Sequence, residues 1–313
     1  VVARSEQEDQ NVVKITKKTI RRSVKKVESA LVEKVTPVEA QRLLDENNFE
    51  DNRKISQPWV VYLARQMEKG LWQLNGEPLI FDERGKLLNG QHRLSAVVLY
   101  GKPVEFLVVR GVKTKSFTTL DQNRVRSAGQ VFGMQDEKHG FLLAALCRKV
   151  FCWENEGHLG GKRKISPDEL HEVLEDHPEL REAAEVGKIV NNEVPVDGSM
   201  VAFCYWLFAQ SNKARAKRFF EGLETSVAAY KGDPVIVLRK RFFRERDKNR
   251  RRWGATELLA IFIRAWNYYA KNEPIKNLAI KPDKDGSYRI PTVFGLGTKQ
   301  GGKGSKIPEP ADA

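Results

Sequence analysis

The sequence predicts an α/β (α+β) chain: a small sheet with helices, followed by a mainly α-helical domain. Three observations predict it. Strand-like apolar runs at 30–35, 78–81, 86–88 and 103–110 all fall within the first 126 residues. Beyond Ser127, helix-start signatures and 3.6-residue apolar spacing dominate. Residues 1–11 and the stretch from Gly295 are polar and carry little apolar patterning. The expected divisions are a basic arm or helix (1–30), an α/β core (31–126), a partly basic helical domain (127–273) and a partly disordered tail (274–313).

The elements follow in order. Between Lys14 and Lys26 the basic residues Lys14, Lys17, Lys18, Arg21, Arg22, Lys25 and Lys26 recur at helical spacing, with Ile20, Val24, Val27 and Leu31 on another face. After the strand at 30–35, Thr36-Pro37-Val38-Glu39 is a capping box with Pro at the first helical position, and a helix should run to about residue 44. Ser56 should cap a second helix, with Val60, Leu63, Ala64 and Met67 inward and Gly70 ending it. Asp82-Glu83-Arg84-Gly85 is a hairpin turn between the strands at 78–81 and 86–88. A helix then runs to Tyr100 and stops at Gly101, and Val104, Phe106, Leu107, Val108 and Val109 form an apolar strand. Ser127 and Ser166 read as caps, and helices are expected at 137–153, 199–210, 213–223, 234–246 and 255–271. A short strand is expected at 278–281, and disorder from Gly295 onward.

Composition narrows the class. Hydrophobic residues make up 41% and charged residues 30% of the 313 positions, which suits a soluble protein with a substantial core. No apolar run approaches membrane-spanning length, and Val1-Val2-Ala3 runs into Arg4, Glu6, Glu8 and Asp9 without the pattern of a secretory leader. Three sparse cysteines, Cys147, Cys152 and Cys204, fit buried thiols in a reducing cytoplasm. The five histidines make no metal-ligand spacing. The formal net charge of +13 favours a polyanionic partner, nucleic acid first. A homodimer or a protein partner is left open.

The chemistry concentrates at Asn89-Gly90-Gln91-His92-Arg93, between a return strand and a helix. A helix start offers unpaired N–H groups and the positive end of the helix dipole. Gly90 would let the backbone approach an anion, His92 and Arg93 would add donors, and Gln91 would close the loop or touch the nucleotide. The competing reading is an Asn-Gly turn with exposed side chains.

Glu77-Pro78-Leu79-Ile80-Phe81, the hairpin, Asn89-Gly90-Gln91-His92-Arg93-Leu94-Ser95-Ala96 and the strand from Val104 to Val109 together resemble the core of the ParB/sulfiredoxin-like superfamily. The resemblance covers about a third of the chain. It implies a mixed sheet with helices and a nucleotide, ATP or CTP with Mg²⁺, bound at residues 89–93. Sulfiredoxin carries a reactive cysteine where Gln91 stands, so sulfinate reduction lacks its nucleophile here. Chromosome-segregation ParB proteins use Gly-Glu-Arg-Arg, and His92 occupies the place of the first of those arginines. The loop is more similar to the Gly-His-His-Arg of the free-serine-kinase branch. Similar chains occur in phages and mobile elements, some linked to DNA modification.

Within that frame Glu77 is the candidate acid/base or Mg²⁺-holding carboxylate, with a surface turn as the alternative. His92 and Asp121 are further catalytic candidates. Arg124 and Arg126, with Asp121, would lie near the loop, or simply form a capped junction. The densest basic run holds Arg239, Arg241, Arg244, Arg250, Arg251 and Arg252, with Phe242, Phe243 and Trp253 between them. With Lys17, Lys18, Arg21 and Arg22 these are the expected DNA contacts, by phosphate pairing or base stacking. The function expected is an NTP-binding and hydrolysing enzyme acting on or with DNA. The alternatives are a non-catalytic DNA-binding module gated by nucleotide, and a phosphotransferase on a small metabolite.

Overall fold

The computed structural model describes residues 28–120, 126–159, 163–247, 253–284 and 286–296. The chain divides into two compact units, Val1–Asn123 and Arg124–Ala313.

The first unit is built on a four-stranded mixed sheet in the order β1-β4-β2-β3. These strands are Ser29–Val35 (β1), Leu79–Asp82 (β2), Leu87–Asn89 (β3) and Val104–Val112 (β4). β1 is antiparallel to β4, from Ser29 opposite Arg110 to Val35 opposite Val104. β2 is parallel to β4, and β3 returns antiparallel to β2 through the Asp82–Gly85 turn. Helices α1 (Pro37–Asn47), α2 (Gln57–Glu68) and α3 (Gln91–Tyr100) pack with this sheet. Alternate strand residues point into one core, as a period of two requires: Leu79 and Phe81 from β2, and Val104, Phe106 and Val108 from β4. Val60, Leu63, Ala64 and Met67 of α2 and Leu94, Ala96 and Val97 of α3 fill it.

Local chemistry explains most element ends. The Thr36 hydroxyl accepts the Glu39 N–H, with Pro37 opening α1. Gly101 ends α3 in the left-handed region. Ser56 precedes α2 as expected, but its hydroxyl makes no capping bond; its N–H is used elsewhere, as described below.

The second unit is helical: α4 (Ala128–Met134), α5 (Gly140–Glu156), α6 (Pro167–Asp176), α7 (Leu180–Glu193), α8 (Gly198–Thr225), α9 (Pro234–Asp247) and α10 (Ala255–Ala270). Ser127 with Gln130, and Ser166 with Glu169, form complete capping boxes. α8 is broken at Asn212, whose φ of −158° is extended and whose side chain caps the Arg215 N–H at 2.9 Å. The sequence pattern had placed a gap between helices at that point.

Two expectations need correction. α7 was not anticipated, although Leu180, Ala183, Ala184, Gly187 and Val190 line one face at helical spacing. Its buried stripe is made largely of small residues, which give a weak hydrophobic signal. They are small because α7 crosses α8 closely: a Cβ on Gly187 would stand 2.4 Å from the Gly198 carbonyl oxygen. The expected strand at 278–281 is an extended strap instead, with no strand paired to it among the described residues. The Arg241 guanidinium donates to the Leu278 carbonyl, and Leu278 and Val293 are buried. Asn267 binds both the Thr292 carbonyl and the Phe294 N–H at 2.8 Å.

One buried carboxylate fastens the sheet's hairpin. Asp82 accepts the N–H groups of Arg84 and Lys86 at 2.9 and 2.8 Å and the Thr114 hydroxyl at 2.7 Å. Burial opposes its charge, but the Thr114 hydroxyl, the two N–H groups and the nearby Arg84 charge outweigh it, holding the carboxyl below its usual range. Its contribution to stability is therefore full above the unfolded-state pKa, about 3.9, and is lost as pH falls through the lower folded value. Asp82→Asn should destabilise the chain by about 1–3 kcal/mol at pH 7. Chemical unfolding at pH 7 and pH 3 should show the gap between wild type and variant narrowing in acid; a gap independent of pH would refute this role.

Candidate functional site

α3 begins at the loop that the sequence singled out. Gly90 precedes it with φ 119°, a conformation open to glycine. A Cβ there would lie 2.4 Å from the Leu79 Cδ2, so the loop rests directly on β2. Arg93, one turn into the helix, reaches back across both strands. Its guanidinium donates to the Glu77 carbonyl at 2.6 Å and to the Asn89 Oδ1 at 3.2 Å. Asn89, Gly90, Arg93 and the backbone of Glu77 are thus brought together.

Gln91 and His92 face the other way, into the domain, and are 5% and 7% exposed. The Gln91 amide donates to the Arg53 carbonyl at 2.6 Å and accepts from Asn48 at 3.4 Å. His92 Nε2 accepts the Ser56 N–H at 3.0 Å, which requires a lone pair on that nitrogen and, in the neutral ring, a proton on Nδ1. Asn52 completes the clasp, donating to Asn48 Oδ1 and to the Leu87 carbonyl, both at 2.8 Å. Of the two uses expected for Gln91, the structure displays the loop-closing one.

The clasp has an electrostatic consequence. Ser56 is the residue ahead of α2, so its bond to His92 sets the N-terminus of α2 beside that of α3. Each first turn carries N–H groups with no partner inside its own helix. Arg53 and Lys54 are exposed on the segment leading to Ser56. Two helix N-termini are therefore brought side by side, with Arg53 and Lys54 on the segment ahead of one and Arg93 in the first turn of the other, an arrangement that attracts an oxyanion.

Glu77 is exposed, and its N–H is held by Asn75 Oδ1 at 3.1 Å. Its carbonyl, not its carboxylate, meets Arg93. Among the described residues no group of three or more His, Cys, Asp or Glu side chains is placed to hold a metal ion. Asp121 and Arg124 lie outside the described residues; Arg126 is exposed just ahead of the Ser127 cap. The polar stretch Asn47-Asn48 to Asn52-Arg53-Lys54 was not singled out as part of the site. Its signal was a run of ten residues, 47–56, with two isolated apolar positions and no period.

The basic run divides into distinct roles. Arg239 donates to the Leu223 carbonyl and, at 3.2 Å, to that of Glu224, capping the last turn of α8. Arg241 stacks over Trp253 at 5.2 Å and holds the strap at Leu278; burial pushes its guanidinium pKa down. Phe242 is 1% exposed and packs against Phe262, so this ring belongs to the core and is not offered to bases. Arg244 is exposed beside Glu245 at 3.8 Å. Lys17, Lys18, Arg21, Arg22, Arg250, Arg251 and Arg252 lie outside the described residues.

The described residues together carry only +3 of the chain's +13. The remainder falls mostly in residues 1–27 and 248–252. The cysteines are buried, and burial pushes Cys147 up to about 12 and Cys204 well above the usual thiol value. No described helix is long and apolar enough to cross a membrane. No known family model, curated protein or solved structure matches this chain.

Gly90→Ala should destabilise the first unit by on the order of 2–4 kcal/mol, from positive-φ strain and the Leu79 clash together. In a double-mutant cycle read by chemical unfolding, Leu79→Ala should recover part of that cost. Additive losses would show that contact with Leu79 is not the constraint.

Proposed function

We propose that this chain binds a nucleoside triphosphate, ATP or CTP with Mg²⁺, at the first turn of α3, and acts on or with DNA. The observation that carries the reading is the meeting of the α2 and α3 N-termini, with Arg93 in the first turn of α3. The order of elements supports the same reading. A strand following Glu77-Pro78, a tight hairpin, a glycine-opened helix and an apolar strand come in the order that the resemblance to the ParB/sulfiredoxin-like superfamily implies. Backbone N–H groups of the α3 turn would take phosphate oxygens, with Arg93 adding a charge-assisted contact. Gln91 and His92 would act by positioning, since their side chains hold the segment at 53–56. Mg²⁺ on a triphosphate needs only one or two protein carboxylates, and Glu77 would supply one. DNA would be met by the basic segments at 14–26 and 244–252, since Arg239 and Arg241 are committed to backbone carbonyls. The resemblance extends the proposal to DNA modification in phages and mobile elements.

Arg93→Ala should weaken nucleotide binding at least 30-fold, corresponding to the lower end of the roughly 2–5 kcal/mol range for losing an anchoring charged contact. The measurement is a titration with ATP and CTP in Mg²⁺, with and without duplex DNA, alongside circular dichroism to verify folding. Unchanged affinity in a folded variant would remove the site from α3.

A second reading is favoured by the burial of His92 and by the Glu77 carbonyl, rather than its carboxylate, meeting Arg93: a nucleotide-gated DNA-binding module without turnover. Glu77→Gln separates the two. If the carboxylate serves hydrolysis, phosphate release should fall by at least about 100-fold while nucleotide still binds. Equal release from wild type and variant leaves Glu77 as a turn residue.

A further inference from the structure

β1 lies at the edge of the sheet, with β4 on one side only. Every second residue of such a strand turns its N–H and C=O away from its neighbour, and among the described residues no strand pairs with them. The opposite edge is closed. Leu87 of β3 is bridged to Asn48, and its carbonyl accepts the Phe49 N–H at 3.3 Å and the Asn52 amide at 2.8 Å. β1 is also apolar where it is open: Leu31 and Val32, on its two faces, are 59% and 54% exposed. Leu31 stands opposite the buried Val108, so the cover that the helices give β4 stops short of it.

We propose that β1 pairs antiparallel with β1 of a second copy of this chain, about a two-fold axis at Leu31. The strand's own sequence favours this partner and this register. Centred there, Leu31 meets Leu31 of the second copy, Ala30 meets Val32, Ser29 meets Glu33, and Glu28 meets Lys34. Symmetry repeats every pair off the axis, so acid stands across from base at both ends. Glu28 and Lys34 are exposed, and the Glu33 carboxylate is already held by Arg110 of its own chain at 2.9 Å. Neighbouring registers match less well. About Ala30, Val32 faces Glu28; about Val32, Leu31 faces Glu33 and Ala30 faces Lys34; about Glu33, two carboxylates meet on the axis. The axis is perpendicular to the sheet, so two four-stranded sheets join as one, with α1 to α3 of both copies on the same face. Pairing uses the open edge of each copy, and assembly closes at two.

Sedimentation velocity of the full chain over a concentration series reads the association, with circular dichroism to verify folding. Wild type should show a monomer–dimer equilibrium. Lys34→Glu sets carboxylates against each other twice per dimer and should weaken association about 10-fold. Glu28→Lys together with Lys34→Glu should restore it to within about threefold of wild type. Leu31→Cys tests the axis independently, because the native thiols are buried. Opposed Cα atoms in an antiparallel pair stand roughly 4.5–5.5 Å apart, within disulfide range. Under mild oxidation Leu31→Cys should join two chains at least 10-fold faster than Leu74→Cys, at a residue similarly exposed at 50%. A monomer at every concentration, indifference to Lys34→Glu, no recovery in the swapped chain, or equal joining rates overturns the proposal.

Discussion

The first unit depends on a part-buried hydrogen bond from the backbone of Ser56 to the imidazole of the buried His92. Without it, α2 and α3 would still present apolar faces to one core, but the buried ring nitrogen would lose that donor. A buried acceptor that loses its donor is costly, so the bond favours one placement of the two first turns. Gln91 repeats the device one residue earlier through the Arg53 carbonyl. Consecutive residues of α3 thus tie the 48–56 segment, and the site's electrostatics follow from that tie.

The helical unit solves a different problem with arginine. Arg239 and Arg241 come from the part of the sequence that looks most like a nucleic-acid surface, yet both donate to backbone carbonyls. A guanidinium suits this work because its planar fork stays charged and can stack while it donates. Arg241 does both at once, over Trp253 and toward Leu278. Cations in this stretch are therefore partly architectural.

Legibility in the sequence followed the strength of local signals. The hairpin at Asp82–Gly85, the stop at Gly101, the capping boxes at Ser127 and Ser166 and the break near Asn212 each depend on a few adjacent residues, and each could be read. α7 could not, because its packing face is alanine and glycine chosen to fit another helix. In the site, Gly90 and Arg93 were recognisable as a loop and a cation. The partners of Gln91 and His92 were not, since Arg53 and Ser56 lie some 38 and 36 residues away and contribute only backbone atoms. The glycine turn and the apolar run after it marked the helix start, but could not tell which side chains at 89–93 turn inward.

The distribution of charge separates two properties that usually constrain each other. The described parts of both units sum to near neutrality, while most of the excess positive charge sits in two short stretches apart from them. Substitution, modification or proteolytic trimming in those stretches would change most of the chain's excess positive charge while leaving the buried residues of both cores as they are. Conversely, apolar drift within the cores leaves that charge unchanged. The two traits are free to evolve on separate schedules, a modularity written into where the lysines and arginines fall.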